Sequence, residues 1–94
     1  MGKHSVERQL TEVGRRLKLA REELAIADEQ LGVLDDLADD ARLRALVSET
    51  PLAESEHRER QRPADAMRRH RLALLEELVV LEKRQDELLD RMLT

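Results

Sequence analysis

The sequence predicts an all-α protein, an antiparallel helical hairpin (coiled coil) that dimerises into a four-helix bundle. Three observations lead to this fold class: apolar residues recur at alternating spacings of three and four, Phe, Trp, Tyr and Cys are absent, and 40% of the residues are charged. With six Val and one Ile, the chain is poor in residues that favour strands. Its 18 Leu and 10 Ala are instead typical of long helices that pack along one stripe.

Helix one is predicted over about residues 5–47. Ser5 is expected to cap its start, and Glu7 in the first turn opposes the positive end of the helix dipole. Its apolar residues are separated alternately by four and three positions, which places them on one helical face. These residues are Val6, Leu10, Val13, Leu17, Ala20, Leu24, Ala27, Leu31, Leu34, Ala38 and Ala41.

The turn is predicted at about residues 48–50, and helix two over about residues 51–93. Thr50 is the expected N-cap and Pro51 the first helical residue, a position that tolerates a missing N–H. Pro63 would clash with the carbonyl of Glu59 at a cost of about 3 kcal/mol, so a kink or break is expected near Pro63. The stripe of helix two comprises Met67, Arg71, Leu74, Leu78, Leu81, Gln85, Leu88 and Met92. The whole chain, residues 1–94, is predicted to form one helical-hairpin domain.

The charge pattern supports the same turn independently. Residues 28–40 contain six acidic and no basic residues, whereas residues 57–71 contain six Arg. Antiparallel pairing around the turn brings residue 28 beside residue 70 and residue 40 beside residue 58. The acidic block is therefore expected to meet the basic block, with Arg68 and Arg69 facing Asp28 and Glu29.

Additional apolar residues beside the seam make each apolar stripe wider than a two-helix hairpin needs. They predict a homodimer whose interface candidates are Leu19, Ile26, Val33, Leu37, Leu72, Leu75, Val79 and Leu89. Two alternatives remain: the hairpin lays this face on a different protein, or a third short helix folds back onto it.

The residues around the turn are candidates for docking a partner protein. Exposed apolar anchors among charges are typical of binding surfaces, whereas the simpler interpretation is that they close the end of the hairpin. The candidates are Asp36, Asp39, Ala41, Leu43, Leu46, Val47 and Leu52.

The segment Asp36-Leu37-Ala38-Asp39-Asp40-Ala41 resembles the Asp-x-x-Asp-x-Ala motif of DksA-like RNA polymerase secondary-channel factors. Three positions carry the resemblance: Asp36, Asp39 and Ala41. In that family the motif lies at the tip of a coiled coil inserted into the polymerase, where the acids approach the catalytic magnesium region. The resemblance therefore implies RNA polymerase as a partner and a role in regulating transcription.

The side chains that carry chemistry are sparse. No His pair has metal-ligand spacing, no Ser or Thr has a His and an Asp placed to activate it, and Gly-rich phosphate loops are absent. We therefore predict no enzymatic activity, no catalytic or metal site and no cofactor. A net charge of -4 and the lack of aromatic residues disfavour nucleic-acid binding.

The sequence contains no recognisable membrane-spanning segment or signal peptide, so a cytoplasmic protein is expected. The excess of 14 Arg over 3 Lys indicates a bacterial source. The function predicted is that of a non-enzymatic coiled-coil adaptor or regulator that binds another protein. The alternatives are an RNA polymerase secondary-channel regulator and a DNA-binding regulator that uses the Arg-rich residues 57–71.

Overall fold

The structure, a computed structural model, describes residues 2–94 and consists of two helices. Helix α1 covers Lys3–Ser48 and helix α2 covers Pro51–Leu93, joined by the two-residue loop Glu49-Thr50. No strand occurs in the described part of the chain. The predicted all-α helical hairpin is confirmed.

Helix α1 begins two residues earlier than predicted, so Ser5 is not its N-cap. The Ser5 N–H instead donates to the Gly2 carbonyl at 3.1 Å. This bond spans three residues, as in the tighter turns common at helix ends. The Ser5 hydroxyl accepts a hydrogen bond from the Gln9 side-chain amide at 3.3 Å. The predicted cap was wrong because Lys3 and His4 are already helical, which places Ser5 inside the first turn.

The loop has the cap expected for α2 and a left-handed residue that ends α1. The Ala53 N–H donates to the Thr50 hydroxyl at 3.2 Å, which confirms Thr50 as the N-cap. At the end of α1, Glu49 has a φ of 51°, and its N–H donates to the Ala45 carbonyl at 3.0 Å. This is the αL cap in which glycine is the usual residue.

A kink or a break was predicted near Pro63, and helix α2 continues through this residue without a break. Proline removes one backbone donor and leaves the carbonyl four residues earlier without its helical partner. Pro63 and Glu59 both lie on the exposed side of α2, where water can bind the freed carbonyl. The next residue, Ala64, is fully buried, so α2 packs on its neighbour directly after the proline.

The chain divides into two compact units. The terminal unit comprises residues up to 24 together with residues 73–94. Its core is built from large aliphatic side chains, among which Leu17 and Leu88 are 1% and 0% exposed. Complete burial of one such side chain contributes about 1.5–3 kcal/mol, so this core is the main apolar stabilisation of the unit. The core cluster consists of Val13, Leu17, Ala20, Leu78, Leu81 and Leu88, with Val6, Leu10 and Leu24 packed against it.

The loop unit, residues 25–72, has a different seam. Its fully buried apolar residues are all alanines, namely Ala27, Ala38, Ala41 and Ala64. Leu31, Leu34 and Met67 are half-buried beside them. Small side chains at the contact allow two helices to approach closely, but they bury less apolar area than leucines do.

Candidate interaction surfaces

Apolar side chains surround the loop and project into solvent. Leu43, Leu46, Val47 and Leu52 are all exposed, and Val47 reaches 86%. They therefore do not close the end of the hairpin by packing on one another. Within the single chain these four side chains form a surface available to another molecule.

The segment from Asp36 to Ala41 lies on α1 before the loop. Asp36 and Asp39 are exposed, but Ala41 is 1% exposed because it belongs to the seam with α2. The methyl group of Ala41 is therefore not accessible to a partner, which corrects its place among the binding candidates. Ala41 precedes the helix end at Ser48 by seven residues, whereas the resemblance to secondary-channel factors implies a position at the tip.

The residues predicted to form an oligomer interface lie outside the seam of the single chain. Leu75 is half-buried, and the other seven range in exposure from 39% for Leu37 to 66% for Val79. In the terminal unit these residues are Leu19, Leu75, Val79 and Leu89, and in the loop unit they are Ile26, Val33, Leu37 and Leu72. The hairpin itself leaves them available for other contacts.

Ion pairs cross between the helices in the loop unit. Asp28 accepts a hydrogen bond from Arg71 at 2.5 Å, one residue from the predicted position 70. Asp35 accepts one from Arg68 at 2.5 Å, and Arg68 also contacts Asp65 on its own helix. The predicted meeting of acidic and basic blocks is confirmed for these two pairs. The specific expectation that Arg68 faces Asp28 was wrong because Arg71 occupies that position.

The remainder of the two charged blocks does not pair across the helices. Asp39 and Asp40 bind Arg42 and Arg44 of their own helix, at 3.9 and 3.2 Å. Within residues 2–94, four arginines of the basic block are in no ion pair with a carboxylate. These are Arg58, Arg60, Arg62 and Arg69. The prediction that the acidic block meets the basic block was therefore wrong for these four arginines.

The terminal unit has its own polar contacts between the helices. Arg84 donates to the Gln9 side-chain oxygen at 2.8 Å, and Arg21 lies 3.6 Å from Glu82. The sequence reasoning missed these contacts. Gln9 and Arg84 precede Leu10 and Gln85, which belong to the two predicted stripes, so a heptad assignment with flanking positions could have indicated these contacts.

Glu12 forms the tightest charge cluster within one helix. It accepts hydrogen bonds from Arg15 at 2.7 and 3.0 Å and from Arg16 at 3.2 Å. The hydrogen bonds from Arg15, followed by its charge and by the contact with Arg16, lower the pKa of Glu12 from 4.5 to about 2. The same contact raises the pKa of Arg15. All three side chains are solvent-exposed, so the cluster lies on the surface of α1 and forms no cleft.

A shallow, open apolar groove lies in the loop unit beside the seam. Val33, Leu34 and Met67 line it, together with Glu29 and Gln30. Leu34 and Met67 were predicted as seam residues, and the structure shows them only half-buried. The groove is thus a place where the alanine-lined seam leaves larger side chains partly uncovered.

The histidines are dispersed over the two helices. His4 lies 3.8 Å from Glu7, His57 is half-buried and His70 is exposed. In the described residues no group of three or more His, Cys, Asp or Glu side chains is arranged to hold a metal ion. The same residues contain no helical stretch long and apolar enough to cross a bilayer.

The chain matches no protein-family model, no curated protein and no solved structure.

Proposed function

We propose that this chain is a non-enzymatic coiled-coil interaction protein that self-associates into a four-helix bundle and acts as an adaptor or regulator. Each hairpin would contribute two helices, with exposed apolar residues of one copy packing on those of the other. The large apolar side chains that remain exposed on the single chain support this function.

The exposed area is the observation that carries the proposal. The chain exposes 7129 Å², whereas a compact monomer of this mass exposes roughly 5,600 Å². The difference of roughly 1,500 Å² exceeds the roughly 800 Å² that each partner buries in a stable interface of standard size. Part of this exposed area is apolar, because Leu19, Val79 and Leu89 of the terminal unit are 44%, 66% and 44% exposed, and these are the side chains that a second copy would cover.

Val79 and Leu89 are the most suitable residues for testing self-association. Both are exposed large hydrophobic side chains of α2 in the terminal unit. Substitution by Gln keeps a good helix-forming residue while it removes the apolar contact. The fold of the single chain should therefore survive the double substitution Val79→Gln/Leu89→Gln.

Sedimentation equilibrium from about 1 to 100 μM tests the proposal, since this range covers typical weak to moderate dimer affinities. We expect the unsubstituted chain to sediment with twice its mass of 10.9 kDa and the Val79→Gln/Leu89→Gln variant to shift towards the monomer. Leu46→Gln/Val47→Gln is the matched control, because it also removes one exposed Leu and one exposed Val, here next to the loop. A monomeric unsubstituted chain at the highest concentration, or equal dissociation of the control, would refute self-association through this surface.

A second candidate function is binding of a nucleic acid through Arg58, Arg60, Arg62 and Arg69. The observation in its favour is that these exposed arginines of α2 have no carboxylate partner in the described part of the chain. Phosphate contacts release counterions, so affinity for duplex DNA should fall steeply with added salt. Binding that is absent at low salt, or that Arg58→Gln/Arg62→Gln leaves unchanged, would contradict this function.

A further inference from the structure

We propose that the loop unit binds a basic amphipathic helix of a partner protein on one face of α1. This acidic–apolar face comprises Ile26, Glu29, Val33, Asp36 and Leu37, all in the loop unit. The inference rests on the proposed function that the chain acts by binding proteins, and it adds the chemistry of the partner.

The apolar residues of this face have the spacing that a further helix needs. Ile26 and Val33 are seven residues apart and Leu37 follows four residues later, so the three lie along one side of α1. Val33 is 61% exposed and also lines the groove that contains Leu34 and Met67. A helix laid along this stripe could insert apolar side chains into the groove.

The charges of this face favour a basic partner. Asp28 and Asp35 are already neutralised by Arg71 and Arg68 of α2. Glu29 directly follows Asp28, and Asp36 directly follows Asp35. Both Glu29 and Asp36 are exposed, and they form no ion pair within residues 2–94. The two carboxylates are seven residues apart, so they follow the same direction as the apolar stripe. Lys or Arg side chains on a bound helix would complement them.

The same charges argue against a second copy of this face as the occupant. In a symmetric contact the same patch meets itself. Glu29 and Asp36 of one copy would then lie near the same two acids of the other, and juxtaposed like charges are unfavourable at an interface. Ile26, Val33 and Leu37 were also predicted for the oligomer interface, so the inference limits the contact between copies to the terminal unit, where Val79 and Leu89 lie, and both interactions can then occur on one chain.

The test uses the full chain and a fluorescein-labelled synthetic helical peptide of about 18 residues, long enough for the helix to span the stripe. The peptide carries Leu at alternating spacings of three and four, Lys at the flanking positions and Gln elsewhere. A second peptide has Glu in place of every Lys. Fluorescence anisotropy measures the dissociation constant of each, at low and moderate salt.

We expect the Lys peptide to bind and the Glu peptide to bind at least tenfold more weakly. Glu29→Gln/Asp36→Asn should weaken binding of the Lys peptide about tenfold, since two exposed ion pairs together contribute about that factor. Val33→Gln should weaken it by about the same factor through lost apolar burial. Glu76→Gln/Glu77→Gln is the matched control, because these exposed acids of the terminal unit also lack an ion-pair partner in the described residues.

Several results would overturn the inference: equal binding of the two peptides, unchanged binding by Glu29→Gln/Asp36→Asn, or equal weakening by the control. A further contrary result is a change of self-association in the Glu29→Gln/Asp36→Asn variant, which would assign the face to a second copy. Sedimentation distinguishes the two proposals. A chain that dimerises but does not bind the Lys peptide refutes only the inference, whereas a chain that stays monomeric refutes the self-association.

Discussion

Two glycines inside α1 should be replaceable by alanine with a gain in stability. Gly14 and Gly32 both lie within the helix Lys3–Ser48, and neither has a positive φ. A Cβ atom added to either residue would meet no atom within 4 Å. The single chain therefore has no steric or conformational need for glycine at these positions, and each glycine only weakens the helix.

The expected gain follows from helix propensity. Glycine in a helix interior is less favourable than alanine by about 0.5–1 kcal/mol. The two positions are 18 residues apart, about 27 Å along the helix axis, so their effects should add. Gly14→Ala/Gly32→Ala should therefore raise the free energy of unfolding by about 1–2 kcal/mol. For a domain of this size that corresponds to an increase in Tm of roughly 4–15 °C.

Urea unfolding followed by far-ultraviolet circular dichroism measures this gain. The chain has no Trp, Tyr or Phe, so the helical signal replaces intrinsic fluorescence and peptide-bond absorbance gives the concentration. The midpoint should rise in each single variant while the m value stays constant, because the area exposed on unfolding hardly changes. Measurement at two protein concentrations separates helix stability from any contribution of self-association.

Ala25→Gly is the matched control for this experiment. Ala25 is an exposed residue of the same helix, so the substitution should lower stability by about the amount that one glycine replacement adds. An unchanged or lower midpoint for Gly14→Ala or Gly32→Ala, with a normal loss in the control, would refute the reasoning. It would mean that another backbone, such as a second copy, approaches that glycine closely.

Four other results are expected. Leu17→Ala should cost about 2–5 kcal/mol in urea unfolding, because Leu17 is almost fully buried in the terminal core; a loss below about 1 kcal/mol would contradict the packing. Glu49→Gly should stabilise the chain by about 1 kcal/mol, since glycine accepts the φ of 51° without penalty; an equal gain in Glu49→Ala would attribute the effect to charge. The pKa of Glu12 is lowered from 4.5 to about 2, so the contribution of ionised Glu12 to the free energy of unfolding is present above pH 4.5 and is lost as the pH falls towards 2. The unsubstituted chain should therefore be more stable than Glu12→Gln at neutral pH, and the two should become equally stable in acid. A double-mutant cycle of Asp28→Ala and Arg71→Ala should show a coupling of about 0.2–1 kcal/mol that decreases with salt, and zero coupling would argue against the ion pair.

The alanine-lined seam of the loop unit changes the interpretation of the heptad pattern. The sequence places Ala38 and Leu34 on the same stripe, and the structure buries Ala38 fully while Leu34 remains half-buried. Periodicity reports which side of a helix faces a neighbour, but it does not report how deeply each side chain is covered. Depth depends on the local separation and rotation of the two helices, which the contact residues set together.

On the candidate surfaces, the sequence predicts which apolar residues are exposed but not which charged residues pair. The exposed apolar residues were predictable, because residues beside a two-helix seam have no second helix to cover them. The ion-pair partner of each charged side chain was not predictable. Arg42 and Arg44 bind Asp39 and Asp40 on their own helix, which leaves arginines of α2 without the partners that block-against-block pairing assigned to them. Exposed ion pairs differ by fractions of a kcal/mol, so small changes of geometry decide which partner a long side chain selects.

For this protein, the sequence alone determined the two helices, the position of the loop and the stripe along which the helices pack. Those features depend on local propensity, on the Thr50-Pro51 start of α2 and on a periodic pattern repeated over many residues, so single exceptions do not disturb them. Only the tertiary structure decided that α2 continues through Pro63, that Ala41 is covered and that Glu29 and Asp36 remain unpaired. These properties depend on packing and on competition between near-equal contacts, which residue type and spacing do not specify.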